Sequence, residues 1–165
     1  MMHKELEKAL NDQIKNELYA AYLYLSMSAY FKAENLEGFA HWMRMQREEE
    51  IAHAMKIFDF VQDRDGRIDL QALDKPPADF GSPLAVMEEA LGHEQKVTQR
   101  INELYELAVK HKDYPTQTLL QWFVTEQVEE EATAKQLVDQ LKLVGDNSAA
   151  LLMLDRELGA RTTAE

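Results

Sequence analysis

"MRMQREEEIAHAM", residues Met43–Met55, has apolar residues at helical spacing, yet three glutamates and a histidine fill its middle. An α-helix turns about 100° per residue, so these four side chains point in different directions. On the face set by Leu36, Ala40, Met43, Ala54, Phe58 and Val61, Glu50 falls inside the apolar stripe and His53 flanks it. Glu48 falls well away and Glu49 lies between. Arg47 also falls in the stripe, where it could pair with one carboxylate.

Working outward, this stretch sits in the second of four long helical patterns. The first runs from about Leu6 to about Ala33. Asn35 is the expected N-cap of the second, about Leu36 to Asp63. "DRDGR" ends it, and "RIDLQALDKPPADFG" follows without clear periodicity, about twenty residues that are long for a loop in a compact domain. Ser82 as N-cap and Pro83 at the first helical position open the third helix, to about Lys112. "DYP" interrupts at Asp113–Pro115. The fourth helix runs from about Thr116 to Val144 and stops at Gly145. A short fifth helix, about Ser148 to Leu158, precedes a polar tail.

Two short turns make antiparallel hairpins of helices one and two and of helices three and four. The long connection can travel the length of the assembly. The expected fold is all-α: a four-helix bundle over about 6–144 with one crossover and a short fifth helix at about 148–158, a single domain over 1–165. The apolar face of "AALLML" has no obvious place in a four-helix core, which suggests a contact between subunits.

Each of the other long helices repeats the pattern. Glu17 falls among Leu6, Leu10, Ala21, Tyr24 and Phe31. Glu94 falls among Met87, Leu91, Thr98, Ile101 and Tyr105. Glu126 and Glu130 fall among Leu119, Phe123, Ala134, Leu137 and Leu141, with Gln127 at the edge. An unpaired buried carboxylate costs several kcal/mol. Four of them would rival a domain's whole net stability of roughly 5–15 kcal/mol. They must be protonated, paired or bound to metal, unless the long side chains reach solvent at the rim. No matching set of core-facing lysines and arginines is present. Glu17, Glu50, Glu94, Glu130 and His53 match two divalent cations in charge and ligand number. Oxygen ligands with one imidazole suit iron or manganese, with zinc as a competitor.

Composition narrows the rest. There are no cysteines, which excludes thiolate metal sites and thiol catalysis. A formal net charge of -12 argues against a nucleic-acid backbone as partner. No apolar run is long enough to span a membrane. The N-terminus "MMHKELEKAL" has no apolar core of a signal peptide, which points to the cytoplasm. His3, His41, His93 and His111 read as ordinary surface or packing residues, with His93 facing away from its neighbour Glu94. Glu48 and Glu131 read as solvated or cavity-facing.

Glu17, the pair Glu50–His53 in "EIAH", Glu94, and Gln127–Glu130 in "QVEE" resemble the ferroxidase centre of non-haem bacterial and archaeal ferritins. "YAAYLYLSMSAYF", "GFAHWMRMQREEEIAHAMK" and "LLQWFVTEQVEEEA" also look like that family, and the resemblance covers essentially the whole chain. It implies an iron-storage subunit that oxidises Fe(II) with O2 or H2O2 at a di-iron centre. The Fe(III) mineral would be kept in a hollow homo-oligomeric shell of twenty-four subunits, with fifth helices meeting at four-fold axes. By the same resemblance, Glu17 and His53 would be terminal ligands of one iron, Glu50 would bridge, and Glu94 and Glu130 would hold the second. Gln127 would lie beside the centre. Tyr24 would support it by hydrogen bonding and as an electron donor. Glu49, Glu126 and Glu129 match a third iron site that shares Glu130, and Trp122 would be a close aromatic neighbour. On the plainer reading, Tyr24 and Trp122 pack the core with a satisfied polar tip.

The chain departs from the symmetric di-iron pattern, which would repeat E-x-x-H on the fourth helix. Gln127-x-x-Glu130 stands there instead. Ile51 follows Glu50 where bacterioferritins carry a haem-ligating methionine, so no haem is expected. A non-storage di-iron enzyme would share these ligands, and a metal-free structural bundle would need none of them.

Overall fold

The computed structural model describes residues 2–162, and no strand occurs among them. Five helices follow in order: α1 Lys4–Ala33, α2 Glu37–Asp63, α3 Pro83–Lys110, α4 Tyr114–Val144 and α5 Ser148–Gly159. The connection between α2 and α3 runs the length of α1. Near its start, Asn11 Nδ2 donates to the Arg67 carbonyl at 2.9 Å, and the Asp69 amide donates to Asn11 Oδ1 at 2.8 Å. Near its end, Ser26 donates to the Pro77 carbonyl, and Phe80 packs edge-on against Tyr30. The expected crossover follows, with α1 antiparallel to both α2 and α3.

Helix ends depart from the sequence reading in informative ways. Asn35 is not the N-cap of α2. It adopts φ 60° and closes α1, with the Leu36 amide donating to the Phe31 carbonyl at 2.9 Å. Asp65 and Lys112 repeat this left-handed closure after α2 and α3, at φ 54° and 52°. α3 therefore stops at Lys110. Asp113 caps α4 by accepting from the Thr116 amide at 3.1 Å, so "DYP" begins that helix rather than interrupting the chain. Ser82 and Pro83 open α3 as expected.

The interior is two apolar cores separated by a polar layer. One core gathers Met27, Phe31, Phe39, Met43, Met87 and Leu141. The other gathers Leu6, Leu10, Ile57, Val61, Ile101 and Phe123. Leu91, Thr98 and Tyr105 are only half-buried; Ala90, Val97 and Leu104 take the inner face of α3. The fifth helix does find a place on the bundle, because Leu154 and Leu158 join the first core. Leu152 and Met153 stay exposed.

Candidate metal centre

The polar layer is where the glutamates meet. Glu17, Glu50, His53, Glu94, Gln127 and Glu130 are all buried between the two cores. Glu50 and His53 stand one turn apart on α2. His53 Nδ1 lies 3.5 Å from Glu50 Oε2 and 3.9 Å from Glu17 Oε2. Gln13, one turn before Glu17, donates to its Oε1 at 2.7 Å, while Glu17 Oε2 is buried with no hydrogen-bond partner. Ligands at about 2.1 Å from one cation stand roughly 3–3.5 Å apart. Ligand atoms of Glu17, Glu50 and His53 lie within 4.8 Å of one another, and a cation would satisfy the orphaned oxygen. The donor set fits a divalent metal.

On the far side, Tyr24 donates to Glu94 Oε1, and Gln127 Nε2 donates to Glu94 Oε2 at 3.1 Å. Gln46 Nε2 donates to Glu130 Oε2 at 2.9 Å. Each carboxylate here keeps an oxygen aimed by a neutral donor, so its orientation is set before any cation arrives.

Electrostatics follow from crowding acids in a dry layer. Burial, then the charges of Glu94 and Glu17, push Glu50 well above the ordinary carboxylate range. Burial, then Glu94, pushes Glu130 up to about 8. Burial pushes Glu94 up to about 7, against the hydrogen bonds from Tyr24 and Gln127. Burial also lifts Tyr24 well above its ordinary value, so it remains a hydrogen-bond donor. Without metal, the layer holds protons where a metalated centre would hold cations.

Beyond the layer, His53 Nε2 lies 4.0 Å from Glu126 Oε1, and atoms of His53, Glu126 and Glu130 form a second close grouping. A neutral imidazole offering Nδ1 to a metal carries its proton on Nε2, facing Glu126. Glu126 and Gln127 exchange the places expected of them: Gln127 is 3% exposed, while the Glu126 side chain is 27% exposed. α4 is rotated so that Gln127 faces α3. Glu49 is bound by Arg161, and Glu129 is exposed; neither enters a close ligand grouping among the described residues. Trp122 meets the His53 ring edge-on at 5.3 Å, from a position 38% exposed rather than in the core. Arg47 pairs with Glu48 instead of a core carboxylate.

Sequence reasoning missed Gln13, Gln46 and Arg161. Gln13 and Gln46 each precede a buried glutamate by one turn, a spacing visible in the sequence. Nothing local marks Arg161. His93, expected to pack blandly, is buried with Nε2 unpartnered, and burial lowers its pKa to about 4. Its ring sits 6.0 Å from Tyr19. A third grouping joins His3, Glu5 and His111 at the surface. There His3 Nδ1 accepts from the Glu5 amide at 3.2 Å as the cap of α1.

Comparison with known proteins agrees with this arrangement. Residues 7–144 match the family described as Ferritin-like domain. The chain is 42% identical over 165 residues to a bacterial non-heme ferritin of Staphylococcus aureus, covering 100% of this chain and 99% of that one. It is likewise 42% identical to one of Bacteroides fragilis, over 98% of this chain and 100% of that one. Among solved structures, an open pore ferritin from the hyperthermophilic archaeon Archaeoglobus fulgidus matches with a TM-score of 0.98 and 51% identity, over 98% of this chain and 100% of that one. A humanized archaeal ferritin matches with a TM-score of 0.99 and 50% identity, over 100% of both chains. Full-length identity, shared topology and four helices that each send a carboxylate into one buried layer place the chain in the ferritin family, among the non-haem ferritins of bacteria and archaea.

Proposed function

We propose that the chain is an iron-storage subunit with ferroxidase activity. The observation that carries this reading is the buried layer itself, in which Glu17 Oε2 has no hydrogen-bond partner and His53 Nδ1 faces both Glu17 and Glu50. Fe(II) is the substrate. Glu17, Glu50 and His53 hold one ion, and Glu50, Glu94 and Glu130 hold the second. Protons kept on the metal-free carboxyls leave as the cations bind. Each Fe(II) gives one electron to O2, which takes two electrons and two protons and leaves as H2O2. With H2O2 as oxidant, two electrons and two protons yield two waters. Gln127, bonded to Glu94, holds that ligand in place, and Tyr24 does the same from α1. Glu94 also lies where it would accept the Tyr24 proton if the phenol gave up an electron.

The second site has no imidazole, because Glu130 stands where a symmetric centre would have histidine. Its Fe(III) is held less permanently and passes on toward mineral, with Glu49, Glu126 and Glu129 as an accessory third site. Exposed Leu152 and Met153 on α5 support burial against neighbouring subunits. The shell is read as one of twenty-four subunits in the cytoplasm.

Rapid mixing of anaerobic Fe(II)-loaded protein with O2 tests the chemistry. A fast Fe(III) phase is expected, and Glu50→Ala should abolish it; a phase intact in that variant overturns the reading. Light scattering, with iron retained after gel filtration, separates storage from a soluble di-iron enzyme.

A further inference from the structure

Arg161, just beyond α5, is anchored at both ends on α2. His41 Nε2 donates to its carbonyl at 2.7 Å. Its guanidinium donates to Gln46 Oε1 at 2.6 Å and to Glu49 Oε1 at 2.9 Å, and lies over the Trp42 ring at 4.8 Å. These partners share one face of α2. The contact continues inward, because the same Gln46 amide donates from Nε2 to Glu130. Glu49 in turn stands in the field of Glu126 and Glu130.

Two consequences follow from the chemistry of these groups. A guanidinium has only donors, so it can donate only to the oxygen end of the Gln46 amide. Gln46 must then turn its N–H2 toward Glu130, where a donor favours the carboxylate form that binds cations. The guanidinium also neutralises Glu49 at the edge of the acidic cluster. Arg161 is 22% exposed and Glu49 29%, so this ion pair is partly shielded from water. A planar fork bridges two acceptors in a way that a lysine ammonium does not.

We propose that Arg161 is a positioning residue of the metal centre and its tethered counter-cation: it orients Glu130 through Gln46, and it must leave Glu49 before a third divalent ion can bind there. The inference rests on the ferroxidase reading of the buried layer, and its counter-cation half rests also on the accessory third site proposed at Glu49, Glu126 and Glu129.

Zn(II) is the probe, since it is redox-inert and does not quench fluorescence by paramagnetism. Calorimetric titration of the full-length protein should show two tight equivalents and a weaker third. In Arg161→Gln the third should bind roughly tenfold more tightly, because Glu49 is released from its charged partner. One of the first two should weaken as Gln46 is freed to turn. Arg161→Lys keeps the charge without the bridge. It should restrain the third ion while leaving the loss at Glu130 uncorrected. In a Trp122→Phe background Trp42 is the remaining tryptophan. Its emission should change with the third equivalent as the guanidinium leaves the ring, and Arg161→Gln should remove that step. Two tight equivalents with no third, or with a third unchanged in Arg161→Gln and no change in Trp42 emission, overturn the role of Arg161 alone. Absence of tight Zn(II) binding in the unmodified protein overturns the ferroxidase reading and this inference together.

Discussion

Tyr24 on α1 donates its phenolic hydrogen to Glu94 on α3, and both side chains are buried at the edge of the polar layer. That single bond ties a core aromatic to a carboxylate proposed to hold iron. It also works against the burial that raises the pKa of Glu94.

Tyr24→Phe keeps the ring and removes the donor. Glu94 would then keep its proton to a higher pH than about 7, leaving less carboxylate at neutrality. Fe(II) oxidation should slow several-fold at pH 7 and recover as pH rises. Metal-free stability should change by only about 1 kcal/mol. Initial rates across pH check this, and an unshifted profile would contradict it.

The protons held in the metal-free layer predict how stability varies with pH. In the folded chain Glu130 titrates at about 8 and Glu94 at about 7, against 4.5 for an ordinary glutamate. Folded protein therefore binds more protons than unfolded protein between these values. This stabilisation is complete below pH 4.5 and disappears as pH rises through 7 to 8. The metal-free Tm should fall across that window, and Glu130→Gln should flatten its upper part. Saturating Zn(II) should reverse the slope, since cations displace protons more easily as pH rises. Calorimetric scans with and without chelator decide the sign.

Glu17, Glu50, Glu94 and Glu130 share a depth because helical spacing fixes direction, and spacing is local. Gln127 and Glu126 were ordered wrongly because adjacent residues differ by only about 100°, and α4 turns to pack on α3. Asn35 serves both caps and left-handed turns, so its type alone could not decide between them. The docking of α5 depends on contacts remote in sequence. The Phe39 amide at the start of α2 is satisfied by Asp155 Oδ1 at 2.9 Å, across 116 residues. No pattern within α2 announces that partner.

Asp113 joins two helix ends at once. It caps α4, and its two oxygens accept from Arg64 at 2.9 and 3.0 Å, where α2 ends. Arg64 and the Thr116 amide lower its pKa to about 2 from 3.8. This stabilisation is present above 3.8 and disappears as pH falls toward 2. Asp113→Ala should cost about 2 kcal/mol, mostly from the lost cap, since Arg64 is partly solvated. Asp113→Asn keeps the cap and should lose less, with a shallower decline in acid. Urea unfolding of the three proteins at neutral pH and near pH 3 separates the two contributions.

Gly38 is where α5 crosses α2. A Cβ there would lie 1.6 Å from the Asp155 carbonyl oxygen, a backbone atom that cannot swing aside. Gly159 approaches the same point, its own Cβ position 3.2 Å from the Gly38 Cα. Gly38→Ala should therefore lift α5 off the bundle and withdraw Asp155 from the Phe39 amide. Leu154 and Leu158 would be exposed, at roughly 1.5–3 kcal/mol for each fully lost leucine. α1 to α4 keep their own cores, so the bundle should remain folded. Hydrogen exchange should then show fast amides over Ser148–Gly159 beside protected amides in α1 and α3. If α5 meets its counterparts in a shell, the same variant should shift light scattering toward smaller species. Unchanged α5 protection would mean that α2 and α5 can separate by a few ångströms and still stay packed.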